Sequence, residues 1–123
     1  MRAEVVDASV LGAFVFQEPR EGEAAALLED SELFAPDLLL YELASIARKK
    51  AMLHPDRRSS ILEALRVGLA LDINLVHVDP IAVVGLAIEC GLTTYDASYL
   101  HVARSLGLPL VTFDEQLRAV CAK

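Results

Sequence analysis

The chain has 123 residues, 54% of them hydrophobic, and eleven Lys and Arg against eighteen Asp and Glu leave a formal net charge of −7. That apolar content excludes a disordered polymer and fits a single domain over residues 1–123 with little room for a second core. The negative balance argues against a protein that coats nucleic acid by charge alone, but not against an enzyme that approaches a phosphate backbone through bound cations.

Residues 2–6 read as a strand ending at Asp7, and the apolar run 8–16 is too long for one more strand, so a helix is expected there with Ser9 as its cap. Glu4 and Asp7 interrupt this opening segment, which resembles neither a signal peptide nor a membrane span. Residues 18–32 carry Glu18, Glu21, Glu23, Glu29, Asp30 and Glu32 around an apolar centre, the pattern of a solvated acidic helix, with a short strand at 33–35. Pro36 and Asp37 suit the start of a further helix, where Leu39, Leu43 and Ile46 mark the buried stripe and Glu42 falls beside it. Pro55 and Asp56 open another segment, with Ile61, Leu62, Leu65 and Leu69 at helical spacing.

Residues 73–78 form a second clear strand pattern, followed by Asp79-Pro80 and an apolar helix that Gly91 ends after Cys90. Thr93 and Asp96 stand at capping-box spacing before a helix that runs to Leu106. A strand is expected at 108–112 and a final helix at 114–120, with Thr112 and Glu115 again at capping spacing. Strands alternating with helices, too apolar to have one wet face, predict an α/β sandwich with a central parallel sheet. Cys90 and Cys121 lack the spacing of a zinc or redox pair, so a buried free thiol at Cys90 and a reducing cytoplasmic setting are the expectations.

Asp7, Asp96 and Asp114 each sit where a strand or loop gives way to a helix, and such junctions crowd at the carboxyl edge of a parallel sheet. Glu42, about a turn and a half into its helix, can reach the same edge. Four converging acids repel unless cations or protons relieve them, and an oxygen-rich set suits Mg²⁺ or Mn²⁺ better than Zn²⁺. Such a cluster is equipped for phosphodiester hydrolysis, although acids at helix starts are also commonly plain caps. No G-x-S-x-G, P-loop or G-x-G-x-x-G supports a rival chemistry, and His101, five residues past Asp96, points away from it on a helix.

Ser9 and Thr112 either steady the acids or simply cap helices, and Asp37 reads as a helix-start residue. Arg48, Lys49, Lys50, Arg57 and Arg58 fall in one eleven-residue window with His54, either a local positive field for RNA or a solvated turn. Tyr41 and Tyr95 could stack on bases, whereas Tyr99 reads as packing.

Three blocks, VVDASVLGAF at 5–14, APDLLLYELAS at 35–45 and LTTYDASYLHVARSLGLPLVTFDEQL at 92–117, together resemble the acidic signatures of the PIN domain family, particularly its short VapC-type toxins. The resemblance implies a three-layer α/β/α sandwich with a central parallel sheet, and Asp7, Glu42, Asp96 and Asp114 as catalytic, metal-ligating residues. It further implies a Mg²⁺- or Mn²⁺-dependent endoribonuclease acting on RNA, a homodimer with its interface in helices of the 20–50 region, and inhibition by a VapB-type antitoxin. Two other readings stay open: a noncatalytic protein-interaction module, and a housekeeping PIN nuclease acting on rRNA or structured DNA. A phosphatase of the haloacid dehalogenase kind is excluded, because Asp7-Ala8-Ser9 lacks the second acid of D-x-D.

Overall fold

Residues 2–121 are described by the structure, a computed structural model, and they alternate strand and helix as the apolar periodicity requires. The order is β1 (Arg2–Val6), α1 (Ala8–Val15), α2 (Glu21–Leu28), β2 (Ser31–Pro36), α3 (Leu39–Leu53), a 3₁₀ turn at Pro55–Arg57, α4 (Arg58–Leu69), β3 (Ile73–Val76), α5 (Pro80–Cys90), α6 (Thr94–Leu106), β4 (Leu110–Val111) and α7 (Glu115–Cys121). The four strands are parallel and lie in the order β3-β2-β1-β4.

That order positions the site. The chain steps outward from β1 to β2 to β3, then returns across the sheet to place β4 on the far side of β1. Right-handed crossovers therefore put α1–α4 on one face and α5–α6 on the other, giving the three-layer sandwich. Accordingly, α1 packs on α2, α3 and α4, while α6 packs on β1 and β2. Between β1 and β4 the connections diverge to opposite faces, leaving the crevice where open α/β sheets bind ligands. Val5, Val6, Val10, Leu11, Ala35, Leu39, Leu43 and Val102 are fully buried in the core between these layers.

Several boundaries differ from the sequence expectation. The acidic helix spans only Glu21–Leu28, because Asp30 takes a left-handed turn (φ 54°) and Ser31 and Glu32 then pair with β1. Pro36 ends β2 instead of opening a helix: it pairs with Val76, and the Asp37 N–H donates to the Val76 carbonyl. The next helix starts at Leu39 without a side-chain cap. β3 stops at Val76. β4 has two residues, since Gly107, at φ 66°, and Leu108 close the end of α6, with the Leu108 N–H donating to the Ala103 carbonyl. Cys90 is half-buried and Cys121 exposed, both as free thiols. Among the described residues no single helix is long and apolar enough to cross a membrane.

Candidate active site

Register brings the first and last acidic segments together. Val5 and Val6 of β1 pair with Leu110 and Val111 of β4, and the Asp7 N–H donates to the Val111 carbonyl. Asp7 thus leaves β1 beside Thr112. Its Oδ1 accepts from the Ser9 and Val10 N–H groups at 3.1 and 3.2 Å and from the Ser9 hydroxyl at 2.6 Å. Asp7, not Ser9, therefore caps α1.

Its Oδ2 accepts from the Thr112 hydroxyl at 2.5 Å. The two hydroxyls also bind the loop after β4: the Phe113 N–H donates to Ser9 Oγ at 2.9 Å and the Asp114 N–H to Thr112 Oγ1 at 3.0 Å. Asp114 Oδ1 accepts from the Leu117 N–H at 2.8 Å, so Asp114, not Thr112, caps α7. Ser9 and Thr112 are thereby occupied in holding Asp7 against the loop that carries Asp114.

Asp7 is 5% exposed, and burial pushes its pKa up, against the lowering effect of the bonds from Ser9, Thr112 and Val10. Glu42, half-buried on α3, is raised by burial and by the charges of Asp96 and Asp7, while the Tyr99 hydroxyl donating to its Oε1 at 2.5 Å opposes the shift. Asp96, in the first turn of α6, is raised by burial and by Asp114 and Asp7. Its N–H is capped by Thr93 Oγ1 at 3.1 Å, the capping partner expected from the spacing. The four carboxylates thus share one local field, with no Lys or Arg among the described residues offsetting Asp7, Glu42 or Asp96.

This donor set fits a hard divalent cation: all oxygen, uncompensated, and drawn from four segments. Among the described residues no three acidic, histidine or cysteine side chains close tightly enough to wrap an ion by themselves. A cation that keeps several of its own waters, as Mg²⁺ does, needs only one or two direct carboxylates.

Among the described residues none of the remaining charged candidates is hydrogen-bonded or ion-paired to the four acids. Asp37 is exposed in the β2–α3 turn, its Oδ2 3.8 Å from His77 Nδ1. Arg48 and Lys49 are exposed on α3, Arg57 in the 3₁₀ turn and Arg58 at the start of α4. Lys49 lies two turns from Glu42 and so on the same side of α3, roughly 10 Å along its axis. Lys50 is not a free cation: its Nζ is 2.7 Å from Glu18 Oε2 and 5.9 Å from the Phe16 ring centre. It lines a groove of about 610 Å³ between α1, α3 and α4, with Phe16, Leu53, His54, Arg57 and Val67, away from the acids. Tyr41 and Tyr95 are exposed and Tyr99 is buried, as the packing reading has it. The bond from Tyr99 to Glu42 has one sequence signal, the i,i+3 spacing of Asp96 and Tyr99, which puts both on one face of α6.

A family model described as "PIN domain" matches residues 5–123. The chain is 36% identical over 118 residues to Ribonuclease VapC3 of Pyrobaculum aerophilum, covering 92% of this chain and 90% of that protein. Exonuclease VapC9 of the same organism is 60% identical over a shorter stretch of 37 residues, 30% of this chain and 28% of that protein. Among solved structures, PAE2754 from Pyrobaculum aerophilum superimposes with a TM-score of 0.79 at 31% identity, over 97% of this chain and 84% of that one. VapC20 of Mycobacterium tuberculosis, described as a sarcin-ricin loop cleaving toxin, superimposes with a TM-score of 0.69 at 17% identity, over 94% and 92%, a likeness of fold.

Proposed function

This chain belongs to the PIN domain family, among its VapC-type toxin nucleases, and from that premise we propose that it is a Mg²⁺- or Mn²⁺-dependent endoribonuclease using Asp7, Glu42, Asp96 and Asp114. What supports the reading is the convergence of these acids at the β1–β4 crevice, where burial and then the neighbouring carboxylates raise the pKa of Glu42 and Asp96 and, among the described residues, no Lys or Arg offsets them. A divalent ion held there supplies a lowered pKa for the attacking water and offsets charge on the phosphate.

The chain's own residues do the positioning. Asp7, fixed by four hydrogen bonds, presents Oδ2 in one orientation. Glu42 keeps Oε2 without a protein donor among the described residues, Asp96 adds charge from the first turn of α6, and Asp114 is carried in by the loop that Ser9 and Thr112 secure. Exposed Arg48, Lys49, Arg57 and Arg58 offer contacts to RNA phosphates, with Lys50 contributing less because Glu18 already pairs with it. Hydrolysis by water leaves a 5′-phosphate and a 3′-hydroxyl. The same reading includes a homodimer in the cytoplasm and a VapB-type antitoxin as partner.

Cleavage of RNA and DNA with Mg²⁺, Mn²⁺ or excess chelator tests this reading. RNA cleavage should need the metal, fall at least ~100-fold in Asp7→Asn, in line with the loss of a group that organises a metal site, and yield 5′-phosphate ends. Replacing Lys49 and Arg57 with Ala should flatten the salt dependence of RNA binding without changing Mn²⁺ affinity. A 2′,3′-cyclic phosphate product, or cleavage that survives chelator and Asp7→Asn, defeats the mechanism. A salt slope equal to the wild type removes the basic window from the binding surface.

A further inference from the structure

Tyr99 is 1% exposed, with its ring in the same core as Val5, Val6, Leu39, Leu43 and Val102. A tyrosine in such a place usually finds a hydrogen-bond partner for its hydroxyl. Here the partner is Glu42 Oε1, 2.5 Å away and 57 positions distant in the chain. That bond sets the hydroxyl beside the acidic cluster and not in a separate polar site.

The geometry follows from two helices. Asp96 and Tyr99, three residues apart, share a face of α6, and α6 packs on β1 and β2. That face meets Glu42 from α3, whose side chain is otherwise free to rotate about three torsions. A rigid phenol buried in the core is a fixed donor, so it selects one carboxylate orientation: Oε1 is held by the phenol, and Oε2 is left without a protein donor among the described residues. From this we infer that Tyr99 is the positioning residue for Glu42, holding its carboxylate ready for the divalent cation. The inference rests on the metal reading under Proposed function and adds to it a residue that touches neither metal nor RNA.

Tyr99→Phe tests it, because the change removes one oxygen and keeps the ring that fills the core. Calorimetric titration with Mn²⁺ should show affinity about 10-fold weaker, the range expected when a residue that orients a metal ligand is lost. In a Glu42→Gln background the same change should have no further effect on Mn²⁺ affinity, whereas a general packing defect would weaken both backgrounds alike. A second measurement needs no substitution at Tyr99: Mn²⁺ should shift the near-ultraviolet absorption of a tyrosine in the wild type, and Glu42→Gln should abolish that shift.

Folded Tyr99→Phe with wild-type Mn²⁺ affinity, or no Glu42-dependent spectral shift, overturns the inference. Asp96→Asn separates this failure from failure of the metal reading. If Asp96→Asn weakens Mn²⁺ binding while Tyr99→Phe does not, only the positioning role falls. If neither weakens it, the metal reading falls and the inference with it.

Discussion

Glu4 shows what a single buried charge does in this chain. It lies in the middle of β1, 5% exposed, and its Oε1 has no hydrogen-bond partner. Its neighbour Arg2 has turned its guanidinium to the Glu29 carbonyl at 2.6 Å, so that charge only partly relieves it. Burial raises the Glu4 pKa, against the lowering effects of Arg2 and Ser31. A raised folded pKa means that the folded state holds the proton more tightly than the unfolded chain. The resulting stabilisation is complete below the ordinary glutamate value and is lost as pH rises through the folded one. Glu4→Gln removes this dependence, so the variant should match the wild type near pH 4 and exceed it by about 1 kcal/mol at pH 7, the order of cost of a buried unpaired polar group. Urea unfolding at both pH values, in chelator, gives the difference; an equal offset at both would show that Glu4 does not titrate on unfolding.

At the level of elements, helix ends follow local rules and helix crossings do not. α5 starts from Asp79, whose side chain accepts from the Ile81 N–H, and ends at Gly91, where φ is 67°. Neither needs any distant contact. Gly68 is different: a Cβ there would stand 2.8 and 2.9 Å from the Cγ atoms of Val15, so α4 approaches the end of α1 through a gap only glycine leaves. Gly68→Ala should destabilise by about 1–2 kcal/mol, the overpacking cost outweighing the roughly 1 kcal/mol helix-propensity gain. With Val15→Ala already present, Gly68→Ala should become neutral or stabilising. Chemical denaturation midpoints of the two single variants and the double variant measure the coupling, and a plain additive sum would disprove the contact.

The whole molecule carries more apolar surface than its layers cover. Ile81, Val84 and Ile88 are 83%, 46% and 79% exposed and recur along one side of α5, while in the 20–50 region Tyr41 alone is an exposed large apolar residue. An unburied stripe of this kind favours association, so α5 stands beside the 20–50 helices as an expected interface of the proposed homodimer. Light scattering at micromolar concentration should give twice the 13.3 kDa chain mass, and Ile81→Asp with Ile88→Asp should restore the single-chain mass. A wild type of one chain mass, or a double variant that stays dimeric, rejects α5 as the interface.

The sequence by itself determined the alternation of strand and helix, the acids at their junctions and the Thr93 cap of α6, because periodicity and capping act within a few residues. The family resemblance added the role of Asp7, Glu42, Asp96 and Asp114 as catalytic, metal-ligating residues. Sequence reading left a choice open, or went wrong, where a residue had two local uses. Ser9 and Thr112 offer two readings, cap or support for an acid, and only the fold decides for support: their hydroxyls serve Asp7 and the loop after β4, through bonds spanning up to 105 positions. Pro36 looks like a helix start, yet β3 holds it in the sheet. Which strand lies beside β1 is set by the return crossover from β3, a property of the assembled sheet, and that return brings Thr112 to Asp7. The bond from Tyr99 to Glu42 likewise exists only once the sheet has set α3 and α6 in place, since a contact across 57 positions leaves no periodic trace in the chain.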